Sequence, residues 1–384
     1  MSKSIYLDYA AATPVRKEVL AEMKPYFSKQ FANPSSIHKF GEEAGLAVAT
    51  ARNKIARILD CDNSEIVFTS CGSESINLAI QGIARAKGKG HIITSRAEHA
   101  ATLRCSEWLE GQGFQVTYLD PSSTGLISAS QVESAIQENT ILVSLVYANN
   151  EVGTINPIKE ISKVTTRYKL LFHVDACQAP NYLDINVKKL GVDLLTLNSS
   201  KIYGPKGIAL LYIKDGIKIK PLVFGGKQEH ALRAGTLNVP GVVGFALSLQ
   251  LSELEKTKES KRLTVLQTKF KDKILNSIPD SYYNGHLGKR LPNNLNFSFL
   301  GVDAETLVLT LSSQGIFVSS GSACSAGTVK SSHVLEAMGL DEYRIQSSIR
   351  ISLGESTTAT DLDLVAKTLI RTINSLRKVS KAKY

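Results

Sequence analysis

The stretch EIVFTSCGSESINLAIQGI, residues 65–83, changes from a strand pattern to a helix pattern within a few residues. Residues 65–70 contain the apolar run of a strand that is covered on both faces. Apolar residues then recur at the spacing of one helix face: Ile76, Ala79, Ile80 and Ile83. This order predicts a strand that leads directly into an amphipathic helix, which is the repeating unit of α/β proteins.

Strand and helix patterns alternate through the first two thirds of the chain. Further strands are predicted over residues 91–95, 141–149, 170–175, 194–197 and 207–213. Because helical patterns separate them, we expect an α/β domain around a mainly parallel sheet. From about residue 252 a charged stretch predicts a long amphipathic helix. It leads into a smaller α+β unit, with strands predicted over residues 294–300 and 349–353.

The composition is that of an ordinary globular protein. The chain has 384 residues, is 43% hydrophobic, and has a formal net charge of +10 from 45 Lys and Arg against 35 Asp and Glu. No apolar run reaches the roughly 18 residues of a membrane span, and the first residues lack the apolar core of a signal peptide. We therefore expect a cytoplasmic protein with no membrane contact. The basic residues are mostly interleaved with acidic ones, which favours a solvated basic surface over nucleic-acid binding.

Cysteine and histidine spacing gives no sign of a metal site. The five cysteines are odd in number, widely separated and form no C-x-x-C motif: Cys61, Cys71, Cys105, Cys177 and Cys324. The seven histidines are equally scattered, and no H-E-x-x-H is present. The sequence therefore predicts neither a disulfide framework nor a bound metal.

The turn between the first strand and its helix is a candidate anion site. Small residues Cys71, Gly72 and Ser73 lie there, and the backbone N–H groups at a helix N-terminus attract anions. The other interpretation is an ordinary strand-to-helix connection. No G-x-x-x-x-G-K-[ST] or G-x-G-x-x-G motif supports a nucleotide phosphate.

Two charged residues follow later strands. Asp175 ends the apolar strand in FHVDACQ, with Gln178 one turn further, and Lys201 comes just after the next strand. Ligands of α/β sheets bind at the carboxyl ends of the strands. An anion-binding turn, an aspartate and a lysine are the groups that pyridoxal phosphate needs for its phosphate, its ring nitrogen and its aldehyde.

The chain resembles a cysteine desulfurase of the NifS/IscS type, a fold-type-I pyridoxal-phosphate enzyme. Eleven motifs carry the resemblance, in this order: YLDYAAATPV, NPSSIHKFG, FTSCGSESINLAI, TSRAEH, YANNEVGTINPI, HVDACQ, SKIYGPKG, LRAGTLNVP, SSGSACSAG, SHVLEAMG and SSIRISLG. The resemblance implies a homodimer whose large cofactor-binding domain spans residues 15–254. Residues 1–14 and 255–384 would then form the small domain.

The resemblance also implies roles for individual residues. Lys201 resembles the Schiff-base lysine, Asp175 the partner of the ring nitrogen and Gln178 the partner of the phenolic oxygen. His99 resembles the imidazole that stacks on the ring and transfers protons. The remaining matches are the phosphate turn (Gly72 and Ser73), a threonine that reaches the phosphate from the other subunit (Thr236), and the groups that hold the substrate carboxylate (Asn150 and Arg350).

Cys324 is the predicted nucleophile. It lies in SSGSACSAG, a small and polar stretch in which a thiol should be accessible, whereas free cysteines are usually buried and inert, as we expect for Cys61, Cys105 and Cys177. The resemblance implies that L-cysteine becomes L-alanine and that its sulfur stays on Cys324 as a persulfide. The sulfur would pass to an acceptor or scaffold protein for iron–sulfur cluster assembly or tRNA thiolation.

Several positions depart from the family's pattern. The usual Ser-x-His-Lys is here Asn198-Ser199-Ser200-Lys201, where Ser199 or Ser200 remains as a phosphate donor. Cys71 replaces a glycine, and Glu355 stands where an arginine is common. The alternatives are therefore another pyridoxal-phosphate lyase, such as a selenocysteine lyase, a divergent homologue with weak activity, or a non-catalytic interaction protein.

Overall fold

The computed structural model describes residues 4–320 and 332–381. Its strands are β1 (Ile5–Tyr6), β2 (Ile66–Thr69), β3 (His91–Ser95), β4 (Gln115–Leu119), β5 (Thr140–Val146), β6 (Leu171–Asp175), β7 (Leu194–Asn198), β8 (Ala209–Ile213), β9 (Ser281–Tyr283), β10 (Asn294–Phe299), β11 (Ile316–Phe317) and β12 (Ser348–Ser352). Its helices are α1 (Lys17–Met23), α2 (Pro25–Ser28), α3 (Lys39–Leu59), α4 (Gly72–Lys87), α5 (Ala100–Glu110), α6 (Ala129–Ser134), α7 (Ile158–Arg167), α8 (Val187–Leu190), α9 (Val239–Ser277), α10 (Ala304–Ser313), α11 (His333–Ala337), α12 (Glu342–Gln346) and α13 (Ala359–Lys381). Short 3-10 turns cover Asn63–Glu65, Ser199–Lys201 and Glu229–Ala231.

Within the described residues, seven strands form the large sheet in the order β2-β8-β7-β6-β5-β3-β4. Neighbours from β7 to β4 are parallel, and β8 runs antiparallel to β2 and β7. This confirms the predicted mainly parallel α/β sheet. Strand β4 was not predicted from the sequence. It lies at the edge of the sheet, where its residues are partly exposed and include polar ones, so it lacks a continuous apolar run.

Helices cover both faces of the large sheet. Successive strand residues point to opposite faces, so Phe68 and Val143 pack into one hydrophobic cluster while their neighbours Val67 and Leu142 pack into another. The first cluster includes residues of α3, α7 and α9, and the second includes residues of α4 and α5. Coverage on both faces explains why these strands read as continuous apolar runs.

A separate core joins the two ends of the chain. In the small antiparallel sheet the order is β12-β10-β9, and β1 pairs in parallel with β11. Leu7 of the N-terminal segment is buried in the same cluster as Phe297 and Ile351. The N-terminal segment therefore packs with the C-terminal part of the chain.

Helix α9 runs through both cores. It begins at Val239, thirteen residues before the predicted start at about residue 252, and Asn238 caps it by accepting a hydrogen bond from the Gly241 N–H at 3.0 Å. Its first turns are buried on nearly all sides, so they lack the amphipathic period by which a helix is recognised in sequence. Phe245 packs into the first core, and Phe270 packs into the core of the C-terminal unit.

A buried histidine should make stability depend on pH. His173 of β6 lies between the hydroxyls of Ser144 and Thr196, with Nδ1 at 2.8 Å and Nε2 at 2.9 Å. Burial lowers its pKa from 6.5 to about 4. Between pH 6.5 and pH 4 the imidazole of His173 is protonated in the unfolded chain but not in the folded chain. The contribution of His173 to the free energy of unfolding is therefore complete above pH 6.5 and is lost as pH falls towards 4.

We expect the wild type to lose ~3 kcal/mol more unfolding free energy than His173→Asn between pH 7 and pH 4, because the variant has no imidazole to protonate. Urea unfolding across this range measures the difference. The matched control is His230→Asn, since His230 is exposed. Parallel pH profiles for the wild type and His173→Asn would contradict the prediction.

The described helices contain no apolar stretch of the length that crossing a membrane requires.

Candidate active site

The carboxyl ends of β2, β3, β5, β6 and β7 surround one cavity of about 290 Å³. It brings together eight residues that the sequence predicted: Gly72, Ser73, His99, Asn150, Asp175, Gln178, Lys201 and Arg350. The lining also includes Cys71, which the sequence analysis placed at the anion turn. Further lining residues were not predicted there: Ala10, Ala11, Ile76, Val146, Ala148, Cys177 and Asn198. The parallel strands explain this convergence, because their carboxyl ends share one edge of the sheet.

The predicted anion turn opens into this cavity. Helix α4 begins at Gly72, and the side chain of the preceding Cys71 makes no capping hydrogen bond. A Cβ added at Gly72 would lie 3.0 Å from Cys177 Sγ and 3.4 Å from Asn198 Nδ2. Only glycine therefore keeps this space open, which leaves the N–H groups of the first helical turn for an anion.

Asp175 lies at the end of β6 and is only 5% exposed. Its Oδ1 accepts a hydrogen bond from the Cys177 N–H at 3.0 Å. In residues 4–320 and 332–381 no basic side chain forms an ion pair with it. A buried carboxylate is costly without a cationic partner, and a protonated ring nitrogen in the cavity would supply one.

Lys201 ends the 3-10 turn that follows β7. Its Nζ donates to the carbonyl oxygens of Ala11 at 2.5 Å and Ala10 at 3.1 Å. Gln178 Nε2 donates to the same Ala10 oxygen at 2.9 Å. Carbonyls of the N-terminal segment thus hold the amine and the amide at the cavity.

His99 is the N-cap of α5, and its Nδ1 accepts a hydrogen bond from the Ala101 N–H at 3.1 Å. Burial lowers the pKa of His99, Asp175 opposes this shift, and Lys201 and His333 add to it. The imidazole is therefore neutral at pH 7. Because Nδ1 is an acceptor, the proton is on Nε2.

Arg350 of β12 is 3% exposed. Its Nη2 donates to Asp8 Oδ1 at 2.7 Å, and its Nη1 donates to the Asn150 carbonyl at 3.2 Å. Its Nε is buried and has no hydrogen-bond partner within the part of the chain that the structure describes. A guanidinium with unused N–H groups in a cavity suits the carboxylate of a small substrate.

Three of the predicted site residues that the structure describes do not line the cavity of this chain. Ser199 is fully buried, and Ser200 Oγ donates to Asn198 Oδ1 at 3.2 Å. Thr236 is exposed. Cys324 lies outside the described residues. Ser199 or Ser200 was predicted to donate to the phosphate. Asn198 lines the cavity instead, with its amide nitrogen towards Gly72.

The cysteines divide differently from the prediction. Burial raises the pKa of Cys61 to about 12 and that of Cys105 to about 11, as expected for inert thiols. Cys177, also expected to be inert core, lines the cavity instead. Burial raises the pKa of the Cys177 thiol well above its usual range, and the Asp175 charge adds to this, so the thiol is neutral. The sequence signal that could have assigned Cys177 to the cavity is its position two residues after Asp175.

Pyridoxal phosphate fits this set of groups. An open helix N-terminus, a buried carboxylate and a lysine amine line one cavity, and these are the three groups that this cofactor requires. No cluster of three or more potential metal ligands occurs among the described residues.

The family model described as Aminotransferase class-V matches residues 5–365. A cysteine desulfurase IscS of Dictyoglomus turgidum is 47% identical over 386 residues, which cover 100% of this chain and 98% of that protein. A solved NifS-like protein has a TM-score of 0.91 and 36% identity, covering 97% of this chain and 100% of its own. A solved structure of SspA in complex with cysteine has a TM-score of 0.81 and 41% identity, covering 91% and 99%. The chain therefore belongs to the class-V aminotransferase family of pyridoxal-phosphate enzymes, and within it to the cysteine desulfurases of the NifS/IscS type.

Proposed function

We propose that this protein converts L-cysteine to L-alanine and leaves the sulfur as a persulfide on Cys324. The observation that carries the proposal is the single cavity that combines the Gly72 turn, Asp175, Lys201 and Arg350. Relatives named as cysteine desulfurases and the SspA structure with cysteine support L-cysteine as the substrate. In the overall reaction the Cβ–S bond of L-cysteine breaks, its sulfur forms an S–S bond with Cys324, and a proton takes the place of the sulfur on Cβ, so that alanine is released.

The groups that line the cavity could hold each part of pyridoxal phosphate. The first turn of α4 and the Asn198 amide would hold the phosphate, Asp175 the protonated ring nitrogen, and Lys201 the aldehyde carbon. When bound, the cofactor withdraws electrons from the Cα of an attached amino acid. The carboxylate of Asp175 would support this withdrawal, because it would keep the ring nitrogen protonated.

The chain's own groups bind the substrate and move its protons. Arg350 binds the α-carboxylate through its unused N–H groups. Lys201 removes and returns protons near Cα, and the Ala10 and Ala11 carbonyls keep its amine at the cavity. Neutral His99 can supply a proton from Nε2. General acid–base groups of this kind typically contribute about 10²–10⁴-fold in rate.

The Cys324 thiolate is proposed to attack the sulfur of the substrate. Two described residues that flank its segment contact neighbours of the cavity: the Ser319 N–H donates to the Arg350 carbonyl at 3.1 Å, and Ser332 Oγ donates to Glu151 Oε2 at 2.5 Å. These contacts of Ser319 and Ser332 support a nucleophile that comes from the segment between them. The small, polar residues around Cys324 support an accessible thiol.

The direct test is L-alanine formation from L-cysteine by purified protein supplied with pyridoxal phosphate. Catalytic alanine together with a persulfide on the enzyme would support the desulfurase. Turnover of selenocysteine alone would favour a selenocysteine lyase. If neither amino acid is converted and the visible band of the bound cofactor is absent, the proposal is wrong.

We further propose a homodimer in which Thr236 of one subunit completes the phosphate site of the other. Thr236 is exposed and absent from the cavity of its own chain, and Phe224 in the same region is an apolar side chain with 78% exposure. Burial of such side chains against a second copy would be favourable.

We expect Thr236→Ala to weaken cofactor binding about tenfold or more, because one hydrogen bond to a charged phosphate is lost. Titration of the visible cofactor band measures this, with Thr264→Ala on the exposed surface of α9 as the control. Mixing Thr236→Ala subunits with Lys201→Ala subunits should restore one intact site per mixed dimer. No recovery on mixing would contradict the assignment across the dimer.

We also propose a cytoplasmic protein whose persulfide sulfur goes to an acceptor protein for iron–sulfur cluster assembly or tRNA thiolation. The division into domains 15–254, and 1–14 with 255–384, remains a proposal. The two hydrophobic cores support it, and the boundary falls inside α9.

A further inference from the structure

The N-terminal segment, residues 8–13, contacts several groups of the cavity. Ala10 and Ala11 hold Lys201 through their carbonyls, and Thr13 accepts the Tyr203 N–H at 2.7 Å. Among the described residues, the ion pair between Asp8 and Arg350 is the only contact of this segment that joins two charged side chains. None of the roles discussed above involves Asp8.

The guanidinium of Arg350 is held on two sides. A guanidinium has five N–H donors in a fixed plane, and this one gives one donor to Asp8 and one to the Asn150 carbonyl. The Nε–H is buried and has no partner among residues 4–320 and 332–381, and further Nη–H groups remain. The Asp8 contact therefore uses little of the capacity of Arg350 while it fixes the plane in which the free donors lie.

Burial makes this orientation matter. The side chain of Arg350 is 4% exposed, and that of Asp8 is 20% exposed. A buried cation that loses its partner is unfavourable and takes up other contacts, and a long arginine side chain has considerable rotamer freedom. Two-point binding of a carboxylate requires both N–H groups to be in place before the ligand arrives.

We propose that Asp8 is a positioning residue, which orients Arg350 so that its unused N–H groups bind the α-carboxylate of the amino-acid substrate. The inference rests on the proposed function only for the identity of the substrate. It predicts that loss of Asp8 weakens the binding of amino acids that carry a free carboxylate and leaves the binding of their amides unchanged.

The test uses the protein loaded with pyridoxal phosphate and two probes, L-alanine and L-alaninamide. Their dissociation constants come from titrating the visible absorbance of the cofactor. We expect Asp8→Ala to reduce the preference for the acid over the amide about tenfold or more, the usual effect of losing one charged hydrogen bond. Asp8→Asn should keep most of the preference, because its amide oxygen still accepts from Nη2. Asp363→Ala is the control, since Asp363 forms an exposed ion pair with Lys273.

The proposal would be overturned if Asp8→Ala keeps or increases the preference for L-alanine over L-alaninamide. An equal loss of affinity for both probes would overturn it as well. If Asp8→Ala does not load the cofactor, Asp8→Leu removes the acceptor at a similar side-chain volume and is judged in the same way. The wild type must itself prefer the acid, or the proposal is wrong. If the preference behaves as expected but no alanine forms from L-cysteine, the proposed function fails and the role of Asp8 stands.

Discussion

Replacing Lys201 with alanine should abolish the turnover of L-cysteine. The variant loses the amine that would bind the aldehyde of the cofactor and the base that moves the substrate's protons. The acid–base contribution alone is worth about 10²–10⁴-fold, and the loss of covalent cofactor attachment adds to it. We expect alanine formation to fall by at least about 10³-fold.

The measurement is L-alanine released over time, with cofactor in excess. Lys206→Ala is the matched control, because Lys206 is an exposed lysine five residues further along the same loop. Circular dichroism should show that both variants are folded. Alanine formation by Lys201→Ala within about tenfold of wild type would rule out the assigned role, since even weak acid–base catalysts contribute more.

Replacing Cys324 with serine should separate substrate binding from sulfur transfer. The variant keeps the cavity residues, so L-cysteine should still change the visible absorbance of the bound cofactor. A serine hydroxyl cannot accept sulfur as a persulfide, so neither persulfide nor catalytic alanine should form. The expected loss is complete within the detection limit.

Mass spectrometry of the enzyme after mixing with L-cysteine reads out the added sulfur atom. Cys61→Ser is the control, because the pKa of Cys61 is raised to about 12 and its thiol stays protonated. Cys71→Ser tests whether the thiol of Cys71, which also lines the cavity, contributes to turnover. Continued turnover by Cys324→Ser would point to direct elimination, as in other pyridoxal-phosphate lyases.

Much of the fold was predictable because the large sheet imposes a strong pattern. Strands covered on both faces read as apolar runs, and the helices between them show the 3.6-residue period. The parallel arrangement then predicts that residues after β2, β6 and β7 meet at one edge, and the cavity contains Gly72, Asp175 and Lys201. The two-residue strands β1 and β11 were not predictable, since so short a segment has no period.

The contacts that hold the site were not predictable from the sequence. Ala10 and Ala11 act through their carbonyls, which any residue possesses, so their side chains carry no signal. Asp8 meets Arg350 across 342 positions of sequence, and no local pattern reports such a pairing. Cys177 was expected to be core because an isolated cysteine usually is.

The contacts of the N-terminal segment also bear on how the protein is made. Asp8, Ala10 and Ala11 leave the ribosome well before Arg350, because Asp8 and Arg350 are 342 positions apart. Domains tend to fold in the order of synthesis, and pairings between distant residues form slowly because a large loop must close. The large sheet can therefore assemble on a nascent chain in which the N-terminal segment still lacks its partner, and the wall of the cavity closes only after Arg350 has left the ribosome.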